Sequence, residues 1–317
     1  MKLLFCAALG LAASPLLAAE PDFSPDRGAE RIKAHVAFLA DDLLEGRGTG
    51  TRGFDIAARY VASQFAAAGL KPGAADGSWF QPVKLSETRL DGPASVTITG
   101  TAGAPTIWDH GSDAIVNPSQ LDTKTDVAAP LVFAGFGLDA PKQGFNDYAG
   151  LNVRGKIVVI LQGIPKRPPN EVLAHLGAEK TRMAAARGAI GIITIPTLQS
   201  AKLRPWAKLQ ATASVPRMTW IQPDGTPFVA APGIRASASV SNAGAETLFA
   251  NAPTSLAAVL AAADVDGGTP TGFALKTSAH IVATSARRTI NSSEVIARID
   301  GSDPALKNEH VVLMAHL

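Results

Sequence analysis

The segment 156–195, KIVVILQGIPKRPPNEVLAHLGAEKTRMAAARGAIGIITI, places a helix-like stretch between two short apolar runs. The runs, 156–161 and 189–195, are almost wholly apolar, which is typical of strands buried on both faces. The stretch 172–189 between them has the apolar spacing of an amphipathic helix. This order of elements predicts a small α/β unit between about residues 130 and 196.

Further strands are predicted on either side of this segment. The stretches 78–90 and 94–100 favour strands, and we expect them to pair as a hairpin because Asp91-Gly92 favours a tight turn between them. Alternating apolar residues predict a strand within 272–288, and the apolar run in 308–317, NEHVVLMAHL, predicts a last one.

The stretch 44–60, LEGRGTGTRGFDIAARY, has the G-x-G-x-x-G spacing of a dinucleotide-binding turn. Such a turn follows a buried strand, whereas the apolar residues before this one, in 30–46, recur at helical intervals. The segment after it, 54–70, is helical as well. The order helix–loop–helix argues against a nucleotide site. It predicts that Gly48, Gly50 and Gly53 permit a tight loop with positive φ angles, held by Glu45 and Arg47 through an ion pair or backbone hydrogen bonds.

Composition excludes several classes of protein. The chain has 317 residues, of which 46% are hydrophobic and 18% charged, and its formal net charge is +2. It is too apolar to be disordered. Because no block of Lys or Arg stands out, we expect no nucleic-acid partner.

The first nineteen residues, MKLLFCAALGLAASPLLAA, have the pattern of a secretory signal: a basic residue, an apolar run and small residues before a cleavage point. We therefore expect a secreted or periplasmic protein. No stretch is long enough to predict a membrane span. The single cysteine, Cys6, lies in this signal, so the mature chain would have no disulfide and no thiolate ligand.

Residues that could carry chemistry are few. The motifs H-E-x-x-H, G-x-S-x-G and G-x-x-x-x-G-K-[ST] are absent from the sequence. Asp41 and Asp42 could form an acid/base couple, but neighbours on a helix point about 100° apart, which favours a solvated helix end. His310 and His316 would share a face of the last predicted strand, about 20 Å apart at roughly 3.3 Å per residue, too far to share a metal.

Four stretches together resemble a known family. The stretch 35–73 is similar to the opening of the secreted di-zinc aminopeptidases of metallopeptidase family 28. The stretches 132–161 and 178–195 resemble the protease-associated domain that is inserted near the start of many such enzymes. The stretch 293–317 is similar to the strand–turn–strand that enters their catalytic sheet.

The resemblance implies an α/β fold in which an incomplete catalytic domain, with its N-terminal helices and first strands, is interrupted by a β-rich protease-associated insert. The implied boundaries are a signal peptide at 1–19, the N-terminal part of the peptidase at 20–104, the insert at 105–255 and the truncated start of the catalytic domain at 256–317.

The resemblance also implies the site. In the family the last strand continues as H-x-D, and its histidine is a ligand of one of two zinc ions, which assigns His316 as a metal ligand. The general base and the other ligands would lie after residue 317, so no catalytic residue is assigned. We expect peptide or protein substrates, and we expect the 317-residue chain alone to be inactive because one histidine holds neither zinc tightly. The alternative is a secreted, non-catalytic peptide-binding module built on the protease-associated domain.

Overall fold

The structure is a computed structural model that describes residues 25–100, 103–166 and 171–317. The signal-like segment 1–19 and Cys6 lie outside these residues. The chain forms two compact units. The central unit is Pro82–Ser293, and the flanking unit comprises the described residues up to Gln81 together with Glu294–Leu317. Among the helices described, none is both long and apolar enough to cross a membrane.

The described residues form both helices and strands around a mixed sheet, which confirms the α/β class. The helices are α1 (Pro25–Leu39), a 3-10 helix (Asp42–Arg47), α2 (Arg52–Ala67), a 3-10 turn (Pro141–Gln143), α3 (Glu171–Ala186), α4 (Leu198–Leu203), α5 (Trp206–Ala211), α6 (Asn242–Leu248) and α7 (Leu256–Asp264). The strands are β1 (Lys71–Pro72), β2 (Phe80–Leu90), β3 (Ser95–Thr99), β4 (Thr106–Asp109), β5 (Ala114–Val116), β6 (Lys124–Phe133), β7 (Asp139–Ala140), β8 (Phe145–Asn146), β9 (Ile157–Leu161), β10 (Gly191–Ile195), β11 (Arg217–Trp220), β12 (Ala236–Val240), β13 (Phe273–Val295) and β14 (Ala297–Arg298).

The glycine loop of the flanking unit joins two helices, as the sequence predicts. Of the three predicted glycines only Gly50, at 74°, has a positive φ angle; Gly48 has a φ of −55°, and Gly46, which was not among them, also has a φ of 74°. Gly53, at the start of α2, is required for a different reason: a Cβ atom there would lie 1.7 Å from the carbonyl oxygen of Leu44. The glycines therefore allow a close turn of the backbone and no nucleotide site is formed by this order of elements.

Hydrogen bonds, and not an ion pair, hold this loop. Glu45 and Arg47 both have positive φ angles, and within the described residues neither forms an ion pair, so the predicted pairing between them is wrong. The Thr51 hydroxyl donates to the carbonyl oxygen of Gly48 at 2.6 Å and accepts from the backbone N–H of Phe54 at 3.4 Å, capping α2. Short polar side chains satisfy the helix end better than two long charged ones, because they reach the backbone with little loss of entropy.

The two parts of the flanking unit meet in a short antiparallel ladder. Strand β1 pairs with β14, with Lys71 opposite Arg298. The backbone N–H of Ile296 donates to the carbonyl oxygen of Trp79 at 2.8 Å. The Lys71 Nζ atom lies 2.6 Å from a carboxylate oxygen of Asp300. Segments separated by the whole central unit are therefore neighbours in space.

A ten-stranded mixed sheet organises the central unit. Its order is β11-β2-β13-β6-β9-β10-β12-β5, with β3 beside β13 and β4 beside β3. Strands β6, β9, β10 and β12 are parallel, and α3 carries the chain from β9 to β10. The predicted strand–helix–strand unit is thus confirmed. Val159 belongs to one hydrophobic core, whereas its neighbour Val158 packs with Ala184 of α3 in a second, so β9 is buried on both faces.

One predicted pairing is wrong. Strands β2 and β3 form as expected, but they do not pair as a hairpin within the described sheet; each instead pairs with β13. β13 is 23 residues long and offers hydrogen-bonding groups to both, and the backbone N–H of Asp91 donates to Thr284 at 2.9 Å. The chain after Asp91 therefore continues along β13 instead of folding back on β2.

The predicted last strand, 308–317, does not form. Residues 309–317 have no regular secondary structure, and Val311 and Leu313 are each 94% exposed. A strand needs a neighbouring strand to satisfy its backbone groups, and the described residues provide none here. The predicted insert, 105–255, lies wholly inside the central unit, and its boundaries stay a prediction.

Candidate functional site

A cleft of about 300 Å³ lies at the carboxyl ends of three parallel strands of the central unit. Gln162 follows β9, Thr194 and Pro196 lie at the end of β10, and Ser239–Ser241 at the end of β12. Parallel strands separated by crossover helices leave a crevice at this edge of a sheet, and ligands of open α/β folds bind there. This position therefore favours a binding site.

Helices α4 and α5 form the outer wall of the cleft. Arg204 comes directly after α4, while Trp206 and Leu209 come from α5. A capping box fixes the start of α4, in which Thr197 and Ser200 each accept a hydrogen bond from the backbone N–H of the other. Such reciprocal caps stabilise a short helix that would be marginal alone.

The outer wall is also tied to the loop between β4 and β5. The Trp206 Nε1–H donates to the carbonyl oxygen of Ser112 at 2.8 Å, and the Gln210 side-chain amide donates to that of Gly111 at 2.7 Å. Both bonds connect residues almost a hundred positions apart in sequence. They hold the wall in place before any ligand binds, which reduces the entropy that binding costs.

The floor of the cleft is held by Ser241 and Asp113. The Ser241 hydroxyl donates to Asp113 Oδ1 at 2.5 Å and accepts from the backbone N–H of Gly244 at 2.9 Å, which caps α6. The backbone N–H of Ser241 also donates to the Asp113 carbonyl oxygen at 2.9 Å. Ser241 is buried, so these bonds satisfy a polar side chain that would otherwise be costly.

A buried lysine positions Gln162, the cleft residue that follows β9. The Lys180 Nζ atom donates to the carbonyl oxygens of Leu161 and Gly163 at 2.7 and 2.8 Å, on either side of Gln162. Burial lowers the pKa of Lys180 to about 8, although the nearby carboxylate of Asp147 opposes this shift. Burial raises the pKa of Asp147, opposed chiefly by backbone hydrogen bonds such as that from Leu138 at 3.0 Å.

The lining of the cleft suits non-covalent binding. Apolar side chains such as Leu209, Val240 and Pro196 alternate with polar ones, and its described residues include no histidine, cysteine or lysine. Its carboxylate, Asp113, is already hydrogen-bonded to Ser241. The Ser241 hydroxyl is paired with the Asp113 carboxylate, but it is buried and also accepts the hydrogen bond that caps α6, which favours a structural role over that of a nucleophile.

The structure does not assemble a zinc site around His316. His316 and His310 are both exposed in the irregular segment at 309–317. Within the described part of the chain, no three His, Cys, Asp or Glu side chains are close enough to hold a metal. A catalytic zinc needs three protein ligands, so the described residues do not fit a catalytic zinc centre by themselves.

The remaining pair of candidate residues caps a helix. Asp41 accepts a hydrogen bond from the backbone N–H of Leu43 at 2.8 Å, and both Asp41 and Asp42 are exposed. This geometry is that of an N-cap, which agrees with the solvated helix end and not with an acid/base couple.

The cleft itself was not predicted from the sequence. Its lining comes from segments between Asp113 and Ala243, and no short motif marks it. A usable signal existed, because the apolar runs 156–161 and 189–195 indicate adjacent buried strands whose carboxyl ends form a crevice when they are parallel. Applying that rule would have pointed to Gln162 and Pro196.

Comparison with known proteins identifies the central part of the chain. The sequence model of the PA domain matches residues 127–244. No curated protein matches the chain. Among solved structures, a psychrophilic subtilisin-like protease from the Antarctic psychrotroph Pseudoalteromonas sp. AS-11 is 11% identical, with a TM-score of 0.26 over 62% of this chain and 34% of the protease. The chain thus spans about a third of that protease. Residues 127–244 form a protease-associated domain, and apart from Asp113 every lining residue of the cleft lies within it.

Proposed function

We propose that this chain is the N-terminal part of a peptide hydrolase whose protease-associated domain binds polypeptide. More specifically, we propose a secreted or periplasmic, zinc-dependent aminopeptidase of metallopeptidase family 28. The substrates would be peptides or proteins, from which N-terminal residues are removed.

The observation that supports this proposal is the way the chain is divided. The protease-associated domain lies inside the central unit, between two flanking segments that join in one compact unit through β1 and β14. The stretches that resemble the family's catalytic domain, 35–73 and 293–317, both belong to that flanking unit. An insert within a peptidase domain requires this arrangement, in which distant segments of the host domain are neighbours.

The zinc assignment rests on the resemblance and concerns one residue of this chain. His316 would be a ligand, and the remaining ligands and the general base would lie after Leu317. The described residues contain no group of three side chains that could hold the metal. No catalytic step therefore follows from this chain alone, and we expect it to release no amino acids from peptides.

The coding sequence after codon 317 tests the assignment. We expect it to continue in frame with an aspartate after Leu317 and, further on, a Glu-Glu pair. The longer product should hydrolyse aminoacyl 4-nitroanilides and lose activity on treatment with a chelator. His316→Ala should abolish that activity, while His310→Ala, a matched change in the same exposed segment, should preserve it.

Two results would overturn the proposal. One is a stop codon directly after Leu317 in a secreted, folded protein. The other is an active longer product that tolerates His316→Ala. The first result would favour the second candidate function, a non-catalytic peptide-binding module, which is supported by a cleft whose hydroxyl–carboxylate pair, Ser241 and Asp113, is engaged in capping α6.

A further inference from the structure

We infer that the cleft at the carboxyl ends of β9, β10 and β12 binds an acidic polypeptide segment that carries an apolar side chain. The inference rests on the proposal that the protease-associated domain binds polypeptide, and it adds the place and the sequence preference. The apolar side chain would enter the cleft, and carboxylates next to it would meet the positively charged outer wall.

The size and lining of the cleft fit one side chain with its adjoining backbone. A volume of about 300 Å³ equals roughly ten water molecules, at about 30 Å³ each. Leu209, Val240 and Pro196 offer apolar contacts. Gln162 and Thr194 have no side-chain hydrogen bond within the described structure, so they are available to the backbone of an extended peptide.

The positive charge of the outer wall favours a negatively charged ligand. The segment 198–211, which forms α4 and α5, carries three basic residues and no acidic one: Lys202, Arg204 and Lys208. Among the described residues none of the three forms an ion pair. Arg204 itself lines the cleft. Its guanidinium can therefore donate two hydrogen bonds to a carboxylate in a charge-assisted, bidentate contact.

The outer wall is also fixed in position by hydrogen bonds in the absence of a ligand. Trp206 and Gln210 are hydrogen-bonded to the loop of Gly111 and Ser112, and the capping box fixes α4. A ligand therefore meets a formed surface in which apolar lining residues, such as Leu209 and Val240, lie beside the unpaired Arg204. Such pre-organisation favours binding because little side-chain entropy remains to be lost.

Binding of blocked peptides to the purified chain tests the inference. The probes are acetylated and amidated Ala-Leu-Asp-Glu-Ala, its neutral counterpart Ala-Leu-Asn-Gln-Ala, and Ala-Ser-Asp-Glu-Ala, which lacks the apolar side chain. A fourth probe, Ala-Leu-Asn-Gln-Ala with a free C-terminus, separates a main-chain carboxylate from side-chain carboxylates. Affinities are measured by calorimetry or by the change in tryptophan fluorescence, to which Trp206 in the outer wall contributes. We expect the acidic Leu peptide to bind about tenfold more tightly than the neutral and the Ser peptides, and to weaken as salt is raised.

Paired variants locate the contact. Arg204→Gln should weaken binding of the acidic peptide about three- to tenfold, the range of one charged contact at a partly exposed site. Arg154→Gln is the matched control, since Arg154 is an exposed arginine at the opposite end of β9, and it should leave affinity unchanged. Leu209→Ser should weaken binding of all three Leu peptides, whereas Leu203→Ser, at an exposed leucine outside the lining, should not.

The possible failures are distinguishable. Equal affinity for the acidic and neutral peptides, or equal effects of Arg204→Gln and Arg154→Gln, would overturn this inference and leave peptide binding by the domain intact. Binding of none of the peptides by a folded chain, as judged by circular dichroism, would overturn both the inference and the proposed role of the domain.

Discussion

The central and flanking units bury their large apolar side chains to different extents. In the central unit Ile193 and Val159 are fully buried between parallel strands and helices. In the flanking unit Ile299 is 81% exposed, and the face of α1 that carries Ile32 and Val36 is largely exposed too. The difference teaches that the spacing of apolar residues predicts a helix or a strand and its apolar face. Whether that face is buried depends on whether another part of the chain packs against it.

A matched pair of isoleucine substitutions should give the largest contrast between the units. Ile193→Ala removes apolar atoms from a filled core and should lower the free energy of unfolding by about 2–5 kcal/mol. Ile299→Ala removes atoms that already contact water and should change it by less than about 0.5 kcal/mol. Urea titrations followed by circular dichroism measure both, and equal costs would mean that Ile299 is covered in solution.

The next contrast concerns a buried charge in the central unit. Because burial lowers the pKa of Lys180 from 10.5 to about 8, the unfolded chain binds more protons at this residue between those pH values. Stability should therefore rise with pH across this window, and the cost of burying the charge should be fully present below pH 8. The full effect is about 3 kcal/mol, at about 1.4 kcal/mol per pH unit.

Comparison with Lys180→Met isolates this contribution. The methionine is similar in length and does not titrate, so the difference in unfolding free energy between the two proteins should change from pH 8 to 10.5 in the stated direction. The same change at exposed Lys276 serves as the control and should show no such trend. A difference that stays flat over this window would show that Lys180 is solvated in the folded protein.

The smallest expected effect lies within the flanking unit and tests the close packing of its glycine loop. Gly53→Ala would place a Cβ atom 1.7 Å from the Leu44 carbonyl oxygen, and should destabilise the protein by about 1–3 kcal/mol. Gly28→Ala, in α1 with no atom within 4 Å of the added carbon, should be neutral or slightly stabilising because alanine favours helices. Thermal unfolding compares the two, and an equal effect would contradict the close packing of the loop.

Sequence reasoning succeeded where structure is decided locally. The order β9, α3, β10 followed from the alternation of apolar runs with an amphipathic period, and the flanking helices α1 and α2 followed from theirs. The hairpin prediction failed because the turn signal at Asp91-Gly92 is local, while the partner of both strands is β13, nearly two hundred residues later. Such long-range pairing leaves no trace in a short window of sequence.

The site shows the same limit. The cleft combines the ends of β9, β10 and β12 with α4 and α5, so its chemistry depends on which strands are neighbours and not on residue spacing. The run at 308–317 was predicted as a strand from hydrophobicity alone, which cannot say whether a neighbouring strand exists. His316, placed by family resemblance, stays a prediction that the coding sequence after codon 317 can test.

The ladder between β1 and β14 has a consequence for the evolution of such a protein. Lys71 faces Arg298, and Trp79 bonds to Ile296, so the chain leaves the flanking unit and returns to it at nearly the same point. A long segment with adjacent ends can be lost, exchanged or lengthened while its host keeps its backbone path. A short glycine-rich linker in place of Pro82–Ser293 would therefore need to bridge only a gap of a few residues between the two parts of the flanking unit.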